Sequence, residues 1–172
     1  MRYGIISDTH IKDINDEKVK QLMKALKKAF RKVDEIIHAG DIINLDFIKE
    51  LNKIAPVKFI AGEHDKFTDL ERFLQIKTPQ YNIGVIHELP SNLEEFCRNN
   101  SLIGGILIYG HTHKPLIKGT KFNTLLLNPG SPTFPKAPDK IAGFKEPVAR
   151  KSVLRLEIDK QGIVKAFIIN LK

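Results

Sequence analysis

Cysteine is nearly absent from this sequence: its 172 residues include 1 Cys, Cys97, so no disulfide can form within them. A buried free cysteine usually acts as a small apolar residue, and we expect that role for Cys97. The absence of disulfides is also typical of proteins that work in a reducing cytosol. The cysteine content therefore predicts a cytoplasmic protein.

The sequence also lacks a hydrophobic run of membrane-spanning length, and Asp8 interrupts the apolar stretch near its beginning. Transmembrane helices and secretory signals need longer apolar segments than any found here. Internal repeats, linkers and low-complexity segments are missing too. These absences predict one domain over residues 1–172, with no membrane partner.

Acidic residues are outnumbered: 28 Lys and Arg stand against 20 Asp and Glu, which gives a formal net charge of +8. A basic protein can attract nucleic acid. The lysines are spread along the chain, however, and aromatic residues do not interleave with them as they do in single-strand binders. We interpret the charge as a solvated, lysine-rich surface of the kind seen in heat-adapted proteins. Nucleic acid is thus disfavoured as a partner, except as a nucleotide substrate.

Five short apolar runs each end at a side chain that can bind a metal ion. They cover residues 3–7, 35–39, 58–61, 83–86 and 106–109. Runs rich in Ile and Val that alternate with helical patterns are typical of buried strands in an α/β sheet, and ligands bind beyond the carboxyl ends of such strands. The sequence has 6 His, and all but His38 follow one of these ends. We predict a single site that holds more than one metal ion.

Helical spacing of apolar residues covers positions 16–30, where Asn15 is the expected N-cap, and about 45–54, where Asn44 is the expected N-cap. A short helical turn capped by Thr68 and a helix starting at Ser91 are also predicted. Cap and surface roles are expected for three further acidic residues, Asp13, Asp16 and Asp46.

The pattern changes to antiparallel hairpins after position 109. The predicted hairpins pair 115–118 with 124–127 and 152–158 with 164–171. The proline-rich stretch 131–151 lies between them and is long for a loop, which is typical of functional lids or disordered segments. Together with the earlier helices, this order predicts an α/β fold of two packed mixed β-sheets flanked by helices.

The candidate metal ligands are carboxylates and imidazoles. They are Asp8, His10, Asp41, Glu63, His87, His111 and His113. Side chains two residues apart, as in the pairs 8 with 10 and 111 with 113, point the same way from an extended backbone. This donor set suits Mn, Fe, Zn, Ni or Co rather than Ca or a thiolate-bound metal. His38 lies inside a strand and is expected to be a hydrogen-bonded core histidine instead.

These residues, in this order, resemble the calcineurin-like metallophosphoesterase superfamily, and in particular its small single-domain branch of YfcE-type phosphodiesterases and Vps29. The matching motifs are Asp8-Thr9-His10, Gly40-Asp41, Gly62-Glu63-His64-Asp65, His87, Gly110-His111-Thr112-His113 and Asn128-Pro129-Gly130-Ser131. Each motif alone is weak evidence, whereas the full ordered set is specific. The resemblance implies a four-layer α/β/β/α metallophosphoesterase fold.

The resemblance also implies roles for the site residues. One divalent metal ion would be held by Asp8, His10, Asp41 and His113, and a second by Asp41, Glu63, His87 and His111. His64 would donate a proton to the leaving group, and Asp65 would orient His64. Asn128 and Ser131 would lie beside the site, where turn chemistry explains them equally well. Manganese is the first expectation for both ions, with Ni, Co, Fe, Zn or Mg as alternatives.

Two positions depart from the family pattern. Glu63 stands where the family has a neutral asparagine ligand, and Glu88 stands where it has glycine. An anionic ligand makes the metals weaker Lewis acids and repels the phosphate, by roughly 1 to 4 kcal/mol at a separation of about 4 Å. We expect Glu88 to point away from the site.

Two functions from different classes follow from these residues. The first is a phosphoesterase, most simply a phosphodiesterase, that hydrolyses a small or nucleotide-like phosphate ester. The alternative is a Vps29-like metal-binding interaction scaffold with little or no catalysis. The presence of His64 favours the enzyme, whereas Glu63 favours the scaffold. A homo-oligomer is left open by the sequence.

Overall fold

The computed structural model describes residues 1–67 and 69–172. The described residues form three helices, α1 (Glu17–Ala29), α2 (Leu45–Asn52) and α3 (Leu93–Asn99). They also form ten strands: β1 (Arg2–Ile6), β2 (Glu35–His38), β3 (Val57–Phe59), β4 (Phe73–Lys77), β5 (Asn82–Ile86), β6 (Ile106–Ile108), β7 (Pro115–Gly119), β8 (Leu125–Pro129), β9 (Ser152–Ile158) and β10 (Val164–Asn170).

The strands build two five-stranded mixed sheets, ordered β10-β9-β1-β2-β3 and β4-β5-β6-β8-β7. In the first sheet β1, β2 and β3 are parallel, and β9 pairs antiparallel with β1. In the second sheet β5, β6 and β8 are parallel, while β4 and β7 are antiparallel edge strands. Both predicted hairpins are present, as β7 with β8 and β9 with β10.

Three hydrophobic clusters fill the spaces between the layers of helices and sheets. The middle cluster lies between the two sheets and includes Ile5, Ile37 and Ile108. The first sheet packs its other face on α1 and α2, and the second sheet packs its other face on α3. The predicted fold class, two mixed sheets flanked by helices, is therefore confirmed, and Cys97 is buried in the α3 cluster as expected.

The helix boundaries follow their capping side chains. Asn44 caps α2 as predicted, since its side chain accepts a hydrogen bond from the backbone N–H of Asp46. The expected cap of α1 is wrong by one residue: Asp16 accepts from the N–H of Lys18, whereas Asn15 donates its own N–H to Asp13. The third helix begins at Leu93 and not at Ser91, because Asn92 is its N-cap.

Two other predictions concern loops. The predicted cap Thr68 lies outside the described residues, and residues 69–72 form a turn and a bend rather than a helix. The described stretch from Gly130 to Lys151 contains neither helix nor strand. No helix in the described part of the chain is both long and apolar enough to cross a membrane.

Candidate metal centre

The loops that follow β1, β2 and β3 in one sheet meet the loops that follow β5 and β6 in the other. They bring together all seven predicted ligands, which fall into overlapping groups. One group is Asp8, His10 and His113, another is Glu63, His87 and His111, and a third is Asp8, Asp41 and His87. Within each group the candidate ligand atoms all lie within 4.8 Å of one another. The convergence of these side chains at one edge is the arrangement that the strand ends predicted.

The first group is arranged around the Nε2 atoms of two histidines. His10 Nε2 and His113 Nε2 lie 3.3 Å apart. His113 Nε2 is 3.4 Å from Asp8 Oδ1, and His10 Nε2 is 3.4 Å from Asp41 Oδ2. Asp8, His10 and His113 thus form one cluster of donor atoms, with Asp41 next to it, and imidazole and carboxylate are donor types that divalent transition-metal ions take.

Asp41 also faces the second group. Its Oδ2 atom lies 3.4 Å from His87 Nε2, the same distance as from His10 Nε2 on the other side. Glu63 Oε1 is 3.2 Å from His111 Nδ1. A single carboxylate between two donor sets can bridge two ions.

The buried polar atoms of the site fit a cation. Asp8 and His87 are buried, and among the described residues Asp8 Oδ2 and His87 Nε2 have no hydrogen-bond partner. Such atoms are costly to bury without a partner, by roughly 1 to 3 kcal/mol each or more for a charged group. A metal ion would satisfy both, so the residues present match the predicted metal chemistry.

The side chains of the site shift one another's pKa values. Burial alone would raise the pKa of Asp41, but the imidazole of His87, whose Nε2 lies 3.4 Å from Asp41 Oδ2, outweighs it and lowers this pKa to about 2. Burial alone would lower the pKa of His87, whereas Asp41 and the carbonyl of Ala39 raise it to about 9. Burial raises the pKa of Asp8 and lowers that of His10. Imidazole binds a metal ion in its neutral form, so an ion at this site would displace the proton of His87 and its affinity would depend on pH.

The ligands are presented from a left-handed backbone, which corrects the expectation of an extended one. Positive φ angles occur at five of the candidates: Asp8 (54°), His10 (46°), Asp41 (57°), His111 (63°) and His113 (59°). Non-glycine residues adopt this region rarely, at a cost of about 1 to 3 kcal/mol each, and such residues cluster at functional sites. Ligand geometry is thus set by loop conformation and not by strand pleat.

Two glycines allow the loops to approach each other. A Cβ atom on Gly62 would collide with the carboxylate and backbone N of Asp41. A Cβ atom on Gly110 would collide with Ser7 Oγ and lie 2.8 Å from Asp8 Oδ2. Larger residues at either position would push a ligand-bearing loop out of place.

Backbone carbonyls fix the orientation of two ligand rings. His87 Nδ1 lies 2.8 Å from the carbonyl oxygen of Ala39, and His113 Nδ1 lies 2.6 Å from that of Phe134. A carbonyl can only accept, so each Nδ1 donates and each Nε2 is left free to ligate. Phe134 was not predicted, because the hydrogen bond uses its backbone. Only the general expectation of a functional loop at 131–151 pointed to this segment.

Asn128 and Ser131, which were predicted to lie beside the site, hold the loops of the first group. Asn128 is buried, and its Nδ2 donates to the carbonyl of Gly110 over 2.8 Å and to Thr112 Oγ1 over 3.1 Å. Ser131 Oγ donates to the carbonyl of Asp8 over 2.8 Å. Both side chains therefore support ligand-bearing loops in addition to shaping their own turn.

Asp65 has different contacts from those expected. Its Oδ1 accepts hydrogen bonds from the backbone N–H groups of Ile42 and Ile43, and its Oδ2 accepts from Gly62. These contacts tie the loop of Asp41 to the loop of Glu63. The expectation that Asp65 orients His64 is thus corrected, since the hydrogen bonds it makes with described residues all go to backbone.

His64 lies at the open side of the site. Its backbone N–H donates to Asp41 Oδ1 over 3.1 Å, and its Nε2 is 3.4 Å from Glu63 Oε1. The His64 side chain is 57% exposed, so the ring is free to contact a substrate. Glu88 does not point away as expected, because its Oε1 is 3.7 Å from His111 Nε2. His111 therefore lies between two exposed glutamates, Glu63 and Glu88.

Carboxylates and imidazoles from the strand ends of both sheets meet in one centre. This arrangement is that of a metal-binding α/β protein. The chain belongs to the calcineurin-like phosphoesterase superfamily, whose domain profile matches residues 1–146. A probable metallophosphoesterase of Methanothermobacter thermautotrophicus is 37% identical over 147 residues, 81% of this chain and 81% of that protein. A phosphodiesterase of Methanocaldococcus jannaschii is 26% identical over 145 residues, 76% of this chain and 83% of that protein.

A solved structure gives the same fold. Vps29 from Entamoeba histolytica in complex with zinc superposes with a TM-score of 0.70 at 22% identity, covering 100% of both chains. Identity this low supports similarity of fold alone. The resemblance to the calcineurin-like superfamily is confirmed, and the fold is the one that Vps29 has.

Proposed function

We propose that this protein is a metal-dependent phosphodiesterase that hydrolyses a small or nucleotide-like phosphate ester at a centre of two divalent ions. The observation that carries the proposal is Asp41. Its Oδ2 lies 3.4 Å from a histidine of each donor group, and its Oδ1 accepts from the backbone of His64. One carboxylate thus links both donor groups to the candidate proton donor.

The site residues have different roles in the proposed hydrolysis. Asp8, His10, Asp41 and His113 would hold one ion, and Asp41, Glu63, His87 and His111 would hold the other. Bound ions of this kind neutralise phosphate oxygens and acidify the attacking water. His64 gives a proton to the leaving alkoxide oxygen, a role that its exposed ring beside Asp41 allows. The carbonyls of Ala39 and Phe134 keep the rings of His87 and His113 aligned.

Two observations support a diester as the substrate: the name of one relative and the charge of the site. The relative from Methanocaldococcus jannaschii carries the name phosphodiesterase. Glu63 and Glu88 add two carboxylates beside His111. A diester carries less negative charge than a monoester, so it is repelled less by these carboxylates.

The alternative function is a metal-binding scaffold that recruits another protein. Its support is the likeness in fold to Vps29 together with Glu63, which weakens the Lewis acidity expected of the site. The retained His64, exposed and next to Asp41, favours the enzyme. A scaffold has no use for a proton donor at that position.

The test is hydrolysis of chromogenic phosphomonoesters and phosphodiesters by metal-stripped protein reloaded with Mn, Ni, Co, Zn or Mg. We expect turnover of diesters above monoesters, with manganese as the most effective ion. Asp41→Asn serves as the matched inactive variant. Absence of turnover with every ion, in protein that binds the ions, would favour the scaffold.

A further inference from the structure

A hollow of about 520 Å³ opens beside His64. It is lined by His10, Lys12, Ile43, His64, Lys66 and Phe67. This volume falls within the roughly 300 to 1,000 Å³ that is usual for small-molecule sites. Two of the lining residues, His10 and His64, belong to the candidate centre, so the hollow is continuous with the place where the phosphate would sit.

The hollow combines an apolar wall with positive charge. Ile43 and Phe67 contribute apolar side chains, and Phe67 is aromatic. Lys12 and Lys66 are exposed and carry ammonium groups, and the described lining includes no carboxylate. Apolar and aromatic surface with a few polar groups is the composition of a site that binds a ring with an anionic substituent.

The walls of the hollow are fastened to the metal site. The backbone N–H of Ile43, a residue with φ of 70°, donates to Asp65 Oδ1 over 2.7 Å. The carbonyl of Lys12 accepts a hydrogen bond of 3.0 Å from Asn44. Asp65 also binds the backbone of Gly62, so the loops of Asp41 and His64 hold the hollow in a fixed position. A fixed position is what selection between substrates requires.

We propose that this hollow binds the leaving alcohol of the substrate and selects an alcohol that carries both a ring and a second anionic group, as a phosphorylated nucleoside does. This inference rests on the proposed function. Water bonds to phosphorus through its oxygen and loses a proton to the solvent, and the bond from phosphorus to the leaving oxygen breaks with its electron pair on that oxygen. His64 gives the proton that makes it an alcohol. The leaving group must therefore lie next to His64, where the hollow is.

Two chromogenic diesters test the selection. Methyl 4-nitrophenyl phosphate and methyl 3-carboxy-4-nitrophenyl phosphate release nitrophenols of similar acidity, and they differ by one carboxylate on the leaving ring. We expect the carboxylated ester to have a KM lower by about tenfold, the effect of one charged contact. Lys12→Gln and Lys66→Gln should each reduce that ratio. Phe67→Ala should raise KM for both esters.

Lys121→Gln is the matched control, because it also removes one lysine charge. Lys121 follows β7, whereas His113 precedes this strand, so the charge is removed at the opposite end of β7 from the site. It should leave the KM ratio unchanged at constant ionic strength. Equal KM values for the two esters, or a ratio that survives the Lys12→Gln/Lys66→Gln double substitution, would overturn the inference and leave the phosphodiesterase intact. If neither ester is hydrolysed, the proposed function fails. Calorimetry then measures the dissociation constants of the two esters, and the inference predicts tighter binding of the carboxylated ester by about tenfold.

Discussion

His87 Nδ1 and the carbonyl oxygen of Ala39 lie 2.8 Å apart, and this hydrogen bond joins the two sheets at the metal site. His87 follows β5 in the second sheet, while Ala39 follows β2 in the first. The same β2 loop continues to Asp41, whose Oδ2 is 3.4 Å from His87 Nε2. One short loop thus orients the imidazole of one sheet against the carboxylate of the other, and each sheet alone would hold an incomplete centre.

The first prediction concerns metal content. Wild-type protein, stripped and reloaded with manganese, should bind about two equivalents per chain, as expected for two donor groups that share Asp41. His87→Ala removes a ligand of the second group and should leave about one equivalent. Elemental analysis after gel filtration measures both. His38→Gln is the matched control, because His38 is buried without belonging to a ligand group, and it should keep the full content. One equivalent in both wild type and His87→Ala would contradict the dinuclear site.

The strands and ligand types were predictable from the sequence for a simple reason. A buried strand in an α/β sheet is a run of apolar residues, and the residue after its carboxyl end faces the ligand edge. Ile5, Ile37 and Ile108 are buried between the sheets, and the candidate ligands Asp8, Asp41 and His111 follow them within a few residues. His38 was also correctly separated from the ligands, since it is buried and its Nε2 is 3.0 Å from Thr9 Oγ1.

The loop conformations could not be predicted in the same way. Positive φ angles at Asp8 and His111 are set by contacts with distant segments, such as the hydrogen bond of 3.0 Å from the backbone of His111 to Asp8. The contact of Phe134 with His113 uses a backbone carbonyl, which every residue has. The carboxylate of Asp65 accepts from backbone N–H groups, so the sequence does not show which residues are its partners. Side-chain identity carries no signal for such interactions.

The second prediction concerns proton donation by His64. His64→Ala should lower the turnover of diesters with alkoxide leaving groups by about 10² to 10⁴-fold, the usual contribution of a general acid. Nitrophenolate needs little protonation, so its ester should lose much less. Metal content should stay unchanged. Steady-state kinetics on a methyl diester and a nitrophenyl diester give the two ratios. Equal losses on both substrates would show that His64 positions the phosphate and does not donate a proton.

The third prediction concerns stability at acid pH through His38. Burial lowers the pKa of His38 from 6.5 to about 3, so the folded protein keeps this imidazole neutral. Below a pH of about 6.5, His38 becomes protonated in the unfolded chain but stays neutral in the folded chain. Each pH unit then costs up to about 1.4 kcal/mol of unfolding free energy, until the folded pKa is reached.

His38→Gln isolates this effect, because glutamine does not titrate and can still hydrogen-bond Thr9. The difference in unfolding free energy between wild type and His38→Gln should shift by about 2 kcal/mol in favour of the variant from pH 7 to pH 5. Urea unfolding of metal-free protein at both pH values provides the comparison. Identical pH dependence in the two proteins would mean that folding does not change the pKa of His38.

The last prediction concerns Glu63, where the chain departs from its family. Glu63 Oε1 lies 3.2 Å from His111 Nδ1, so the carboxylate faces the second donor group. As an anionic ligand it repels the phosphate and reduces the acidity of the ions. Glu63→Asn restores a neutral, shorter ligand. It should raise phosphodiesterase turnover while weakening the binding of the second ion, as measured by kinetics at saturating manganese and by metal titration.

Glu88→Gln is the matched control for Glu63→Asn, because Glu88 also faces His111 but from a longer distance, 3.7 Å. It removes the same charge from the neighbourhood without removing a proposed ligand. Faster turnover in both variants with unchanged metal affinity would attribute the effect to charge alone, and Glu63 would then not be a ligand. Loss of activity in Glu63→Asn at unchanged metal affinity would place Glu63 on the substrate or the water instead. Weaker metal binding confined to Glu63→Asn is the result that ligation requires, because only a bonded carboxylate contributes more than its charge.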